Sequence, residues 1–168
     1  MESMNKRIAL LDEAQADIRL TRLAYEIYEN NLEEKEIVLA GIRERGYAIA
    51  NQLKKKLSVI GDIKVSLIAV HRDKDNPIDV TVEPSADWGG RNIVLVDDVA
   101  NSGRTLLYAL KPFLAVIPSR IQVAVLVDRK HKVFPVSSDY IGLQVSTTLQ
   151  DHIIVEVEKG KVKGAYLR

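Results

Sequence analysis

Two adjacent carboxylates, Asp97 and Asp98, follow the apolar run Val94-Leu95-Val96 and precede Val99-Ala100-Asn101-Ser102-Gly103-Arg104-Thr105. A short apolar run of this kind reads as a buried parallel strand, and it is expected to end on the two acids. A loop of small residues comes next, and then a helix-forming segment. That order presents backbone N–H groups and hydroxyls at a helix N-terminus, which suits a phosphate. Ligands of open α/β sheets gather at the carboxyl ends of the strands, where the two acids fall. Acids beside a phosphate are repulsive unless they face hydroxyls or a metal. A phosphorylated sugar satisfies both halves of the site.

A second run, Gly41-Ile42-Arg43-Glu44-Arg45-Gly46, follows the apolar Ile37-Val38-Leu39-Ala40. Its glycines allow unusual backbone angles and close approach, and its N–H groups and arginines can face an anion. The spacing is that of a P-loop, but Tyr47-Ala48 stands where the lysine and the magnesium-binding hydroxyl belong, so triphosphatase chemistry is not expected. No G-x-G-x-x-G follows a strand, and dinucleotide binding is equally unsupported.

These loops need elements to hold them. Asp12 is an N-cap with Gln15 completing a capping box, and Ile18, Leu23, Ala24, Ile27 and Tyr28 continue at helical spacing to an end near Asn30-Asn31. Ile37 to Ala40 is then a strand, Gly41 to Gly46 a tight loop, and Tyr47 to Leu57 a helix. Lys54, Lys55 and Lys56 are expected at the C-terminus of that helix, where cations complement its dipole. Val65 to Val70 is a strand. The long segment from His71 to Arg91 is expected to be a mobile loop, with a hairpin within it suggested by the alternation from Ile78 to Val82. Leu106 to Leu114 is helical and Ile121 to Val127 a strand. Short strands follow at Tyr140-Ile141 and Ile153 to Val157, and a last one at Lys161 to Leu167. Strands alternating with helices predict a mostly parallel sheet.

The totals agree with one ordinary domain: 168 residues, 46% hydrophobic, 28% charged, and 24 Lys+Arg against 23 Asp+Glu for a net charge of +1. No basic excess points to nucleic acid. The absence of cysteine excludes disulfides, thiolate zinc sites and thiol catalysis. His71, His131 and His152 lack metal-ligand spacing. No run approaches the ~20 apolar residues of a membrane span, and no signal peptide is evident, so a cytoplasmic protein is expected.

The run from Val94 to Thr105 resembles the phosphoribosyl pyrophosphate (PRPP) motif of the type I phosphoribosyltransferases. The resemblance implies their α/β fold over residues 1–168: a central, mostly parallel sheet flanked by helices, with a small hood and a flexible loop at about 71–91. It implies that Asp97 and Asp98 contact the ribose hydroxyls, while Asn101, Ser102, Gly103, Arg104 and Thr105 hold the 5′-phosphate. The Gly41 loop is similar to the family's pyrophosphate loop, which assigns Ile42, Arg43, Arg45 and Gly46 to pyrophosphate. Arg72 falls where the family carries a basic residue reaching the same group. Mg²⁺ is implied as an ion bound mainly by substrate oxygens. Ala100 and Asn101 depart from the usual motif.

The stretch Leu126 to Gly142, with Leu11-Asp12-Glu13 and Leu20 to Ala24, narrows the resemblance to the PyrR-like branch, which combines uracil phosphoribosyltransferase activity with RNA binding in pyrimidine operon control. This places Val127, Asp128, Arg129 and Ile141 beside the base, in a hood spanning about 127–142. Uracil is the expected base, with hypoxanthine, guanine or another pyrimidine as alternatives. Thr21, Arg22 and His131 match positions of RNA contact. Lys130 replaces a usual glycine, and Asn30 and Ser137 replace usual arginines, which lowers the cation count on which RNA affinity depends. A homodimer or larger homo-oligomer is implied. An RNA-binding regulator and a nucleotide-binding protein without turnover are the competing readings.

Overall fold

The computed structural model describes residues 7–148 and 151–168. In chain order the elements are β1 (Ile8–Leu11), α1 (Glu13–Glu29), β2 (Glu36–Ile42), α2 (Arg45–Ile60), β3 (Lys64–Arg72), β4 (Val80–Glu83), β5 (Asn92–Ala100), α3 (Arg104–Ala109), α4 (Lys111–Leu114), β6 (Arg120–Arg129), β7 (Tyr140–Val145), β8 (Ile153–Glu158) and β9 (Lys161–Leu167). Six strands form the main sheet in the order β4-β3-β2-β5-β6-β7, parallel except for β4. This is the expected α/β fold, with β2 and β5 central and their carboxyl ends side by side.

Both faces of the sheet are covered, which explains its unbroken apolar runs. Ile37, Leu39, Val94, Val96, Ala124 and Leu126 pack with the buried stripes of α1 and α2. Val38, Ala40, Ile93, Leu95, Val123 and Val125 pack on the other side with Leu106, Ala109 and Phe113. Helix α1 starts as its sequence requires: the Asp12 side chain accepts from the Gln15 N–H at 2.8 Å, and the Gln15 side chain accepts from the Asp12 N–H at 2.9 Å.

Several local expectations are corrected. Strand β5 does not stop at the acids but runs through them to Ala100, because β6 continues alongside and pairs Val99 with Val127 and Ala100 with Asp128. The loop expected over Gly41 to Gly46 shrinks to Arg43-Glu44: β2 keeps its ladder through Ile42, and α2 begins at Arg45. Helix α2 also runs on to Ile60, so Lys54, Lys55 and Lys56 do not lie in its last turn. Lys56 instead ties α2 to α1 through Asp17 at 2.7 Å and the Thr21 hydroxyl at 2.9 Å. The helix expected over 106–114 is split at Leu110, with Pro112 in the first turn of α4. His71 and Arg72 belong to β3, whose end pairs antiparallel with β4, leaving the open turn to residues 73–79.

The segment expected as a hood belongs to the main sheet. Residues 127–142 form no layer of their own; they are the end of β6, a turn, and the start of β7. The separate small sheet has the order β1-β9-β8 and joins the two ends of the described chain. It rests on α1 and α2 through Leu11, Val155, Val162 and Ala165. Among the described residues no helix is long and apolar enough to cross a membrane.

Candidate active site

The carboxyl ends of β2 and β5 bound a cavity of about 230 Å³. One wall is the β2–α2 connection, Ile42 to Arg45; another is Asp97, Asp98 and Val99; Asn101 and Thr105 close a third side, and Arg72 enters from the end of β3. Helix α2 can approach this closely because Gly46 carries no side chain. A Cβ there would lie 2.6 Å from the Val96 carbonyl oxygen and 3.1 Å from the Asp97 carboxylate. Gly46 has no positive φ, so close approach is the property used here. The Arg43–Glu44 peptide is cis.

The two acids differ. Asp97 is buried, at 7% exposure, whereas Asp98 is half-buried. Burial pushes the Asp97 carboxyl well above the usual aspartate range, and the negative Asp98 beside it adds to the rise, while Arg72 opposes it. Each carboxylate accepts a main-chain N–H just after it: Asp97 from Asp98, and Asp98 from Val99, both at 2.9 Å.

The turn after β5 is compact. Gly103 has φ of 87°, the left-handed conformation glycine adopts freely, and leads straight into α3. The first N–H groups of a helix have no intrahelical acceptor, so α3 opens toward the same space. The Ser102 hydroxyl accepts from the Arg104 N–H at 3.3 Å, and the Thr105 hydroxyl accepts from Arg72 at 3.2 Å. Residues Ser102, Gly103 and Arg104 line a separate recess of about 40 Å³ that shares Val99, Asn101 and Thr105 with the main cavity. On the outer side a larger recess of about 490 Å³ carries Arg43, Arg45, Arg72 and Lys74.

Thus Ile42, Arg43, Arg45, Arg72, Asp97, Asp98, Asn101 and Thr105 line one cavity. The proposed base residues do not line it. Val127 is wholly buried in the core beside α1 and α2. Asp128, 3% exposed, has both oxygens engaged by Lys132, Ser138 and Gln144. Arg129 reaches away to the main-chain oxygens of Thr148 and Asp151. Ile141 packs in the second core cluster, and Arg22 holds its carbonyl. One lining residue the sequence reading missed is Ile153, at the start of β8. An apolar residue opening a short strand carries no local mark of facing a site; only the small sheet brings it there.

A phosphoribosyl transferase domain model matches residues 8–158, and the chain belongs to the phosphoribosyltransferase family. Within it, the chain is similar to the bifunctional protein PyrR of Macrococcus caseolyticus (strain JCSC5402), with 37% identity over 165 residues, 93% of this chain and 94% of that protein. It is similar also to the pyrimidine operon regulatory protein of Lactococcus lactis subsp. lactis (strain IL1403), with 33% identity over 158 residues, 91% of each. Among solved structures, a hypoxanthine-guanine phosphoribosyltransferase of Bacillus anthracis str. 'Ames Ancestor' matches with a TM-score of 0.72 over 88% of this chain and 85% of that one, at 20% identity, a likeness of fold.

Proposed function

We propose that the protein joins a free nucleobase, uracil first among the candidates, to PRPP, releasing pyrophosphate and a nucleoside 5′-monophosphate. The observation that carries this reading is the single cavity that brings Arg43, Arg45 and Arg72 together with Asp97, Asp98, Asn101 and Thr105. A base nitrogen bonds to C1 of the ribose as the C1–O bond to pyrophosphate breaks, and the proton of the base passes to the departing pyrophosphate or to water. Positive charge develops on the sugar and negative charge on the leaving group. The three arginines meet the leaving group, and the two acids hold the ribose hydroxyls. No side chain need act as a nucleophile.

Mg²⁺ belongs to this reading as an ion held mainly by substrate oxygens and water. Asp97 and Asp98 supply carboxylate oxygens to the cavity, hard donors that suit such an ion. When bound, the ion would add to the neutralisation of pyrophosphate charge. Asp97 and Asp98 would face the ribose hydroxyls beside it. The base is assigned beside the end of β6, against Val99 and Ile153 of the cavity wall, with Val127 and Arg129 flanking it on the strand paired to Val99. Asp128 and Ile141 support that region from behind, given their contacts.

The test is pyrophosphate release from purified protein with PRPP, Mg²⁺ and separate bases: uracil, another pyrimidine, hypoxanthine and guanine. Release with at least one base is expected, and with uracil fastest. No release with any base, together with tight nucleotide binding, would overturn the enzyme in favour of a binding protein.

A regulatory reading is favoured by the names of the relatives, one of them a pyrimidine operon regulatory protein. Of the positions matching RNA contact, His131 is exposed, whereas Arg22 is bonded to the Ile141 and Gly142 carbonyls and Thr21 to Asp17 and Lys56. Salt-sensitive binding to a structured leader RNA supports this second role, and sedimentation measures the expected homo-oligomer.

A further inference from the structure

The buried carboxylate of Asp128 lies at the register position opposite Ala100, the last residue of β5 before the phosphate loop. Its Oδ1 accepts from the Lys132 ammonium at 2.7 Å and the Ser138 hydroxyl at 3.1 Å, and its Oδ2 accepts from the Gln144 amide at 3.3 Å. Lys132 also donates to the Arg129 carbonyl at 2.6 Å, so its chain folds back over the turn that follows β6. The Lys132 side chain is only 16% exposed and that of Asp128 only 5%. A lysine this enclosed is not a solvated surface cation. Its ion pair sits where removing one partner leaves a charge unpaired in a poor solvent.

What this closed turn touches gives it a use. The next two residues, Val133 and Phe134, both donate their main-chain N–H groups to the Ser102 carbonyl, at 3.0 and 2.9 Å. The turn also presses on the following residue: a Cβ at Gly103 would lie 3.2 Å from the Phe134 carbonyl and 3.7 Å from Lys132 Cδ. The Ser102 carbonyl is thereby held toward the β6–β7 turn. A carbonyl oxygen turned instead toward a bound phosphate would repel it.

We propose that Asp128 and Lys132 are positioning residues for the 5′-phosphate loop: their ion pair closes the β6–β7 turn, and the turn fixes the Ser102 carbonyl and Gly103 in the orientation that receives the phosphate. The proposal rests on the reading of residues 101–105 as the 5′-phosphate site. It gives Asp128 an indirect role, through the loop, in place of contact with the base.

The test compares wild type with Lys132→Met, which keeps the length and loses the charge, Lys132→Arg, which restores it, and Ser138→Ala, a milder loss on the same carboxylate. Two probes are titrated separately, ribose 5-phosphate and inorganic pyrophosphate. Lys132→Met is expected to weaken ribose 5-phosphate about tenfold, the size of one charge-assisted hydrogen bond, and to leave pyrophosphate within about twofold. Lys132→Arg recovers most of the loss, and Ser138→Ala shows a smaller loss of the same kind. In turnover the change appears in KM for PRPP before kcat. Amide exchange supplies a readout without ligand: residues 101–105 exchange faster in Lys132→Met, and β2 does not. Unchanged exchange over 101–105, or equal weakening of both probes, overturns the proposal. Faster exchange over 101–105 in a protein whose wild type binds neither probe supports the coupling and overturns the phosphate reading instead.

Discussion

At the scale of single residues, the two neighbouring acids are held at different costs, and each cost makes a prediction. Asp97 is buried beside another carboxylate, and its pKa is raised by that burial first and by Asp98 second. The unfolded chain ionises this group near 3.8, whereas the fold resists ionisation. As pH rises past that value the unfolded state loses its proton first, so the penalty from this group grows until the pH passes its raised folded value and persists in full above it. Asp97→Asn removes the penalty. It is expected to raise the melting temperature of the ligand-free protein at neutral pH by about 2–4 °C, the shift that ~1 kcal/mol gives a chain of this size. The gain should disappear well below pH 3.8, where both states are protonated. Thermal melts of both proteins across pH measure it, and a gain independent of pH would refute the assignment. Asp98 is half-buried and open to the cavity. Asp98→Asn is therefore expected to leave the fold intact and cut turnover by about 100-fold or more, the scale of losing one aligned polar contact to a developing charge. Circular dichroism with steady-state kinetics checks both halves, and unchanged turnover would remove Asp98 from the ribose site.

At the scale of elements, the site depends on how tightly α2 is drawn against β5. Gly46→Ala places a methyl group 2.6 Å from the Val96 carbonyl oxygen, which cannot yield without breaking the β2–β5–β6 ladder. A destabilisation of about 1–3 kcal/mol is expected, as for other overpacked contacts. Because the same methyl crowds the Asp97 carboxylate, PRPP turnover should fall further than stability alone explains. Denaturant titration beside kinetics separates the two effects. The elements most legible in the sequence were those with local signals: the capping box at Asp12 and Gln15, the apolar runs of β2, β5 and β6, and the acid pair followed by Gly103. What escaped was set by partners distant in the chain. Strand β1 is four residues long and is held by β9, from the opposite end of the chain. The small sheet could not be located without that pairing, and Ile153 could not be seen as part of the cavity. Strand β5 outran its apolar stretch because β6 beside it supplied hydrogen-bonding partners. Helix α2 outran its expected end by one turn, which the Gly61 N–H closes on the Leu57 carbonyl. The partners of the Asp128 carboxylate were equally hidden, because Lys132, Ser138 and Gln144 reach it only once the turn after β6 folds back.

At the scale of the whole molecule, a nearly neutral chain carries a strongly uneven field. The net charge is +1, yet Arg43, Arg45, Arg72 and Lys74 share one recess of about 490 Å³, with Glu44 as the acid in its lining. A recess of one sign focuses field lines and raises the local concentration of an anion even when the net charge is close to zero. PRPP carries its negative charge at both ends, so its capture should respond to salt, whereas the neutral base should not. Screening acts over about 8 Å at physiological ionic strength, comparable with the width of such a recess. KM for PRPP is therefore expected to rise several-fold as added salt goes from about 50 mM to about 500 mM, with KM for the base nearly flat. Lys74 separates this capture from the chemistry, because it lines the outer recess and not the inner cavity that holds Asp97 and Asp98. Lys74→Gln should raise KM for PRPP at low salt, flatten its salt dependence, and leave kcat within about twofold, the pattern of lost ground-state attraction rather than lost transition-state contact. A fall in kcat equal to the fall in kcat/KM would instead place Lys74 on the leaving group, and a salt-independent KM in the wild type would show that the recess plays no part in drawing the substrate in.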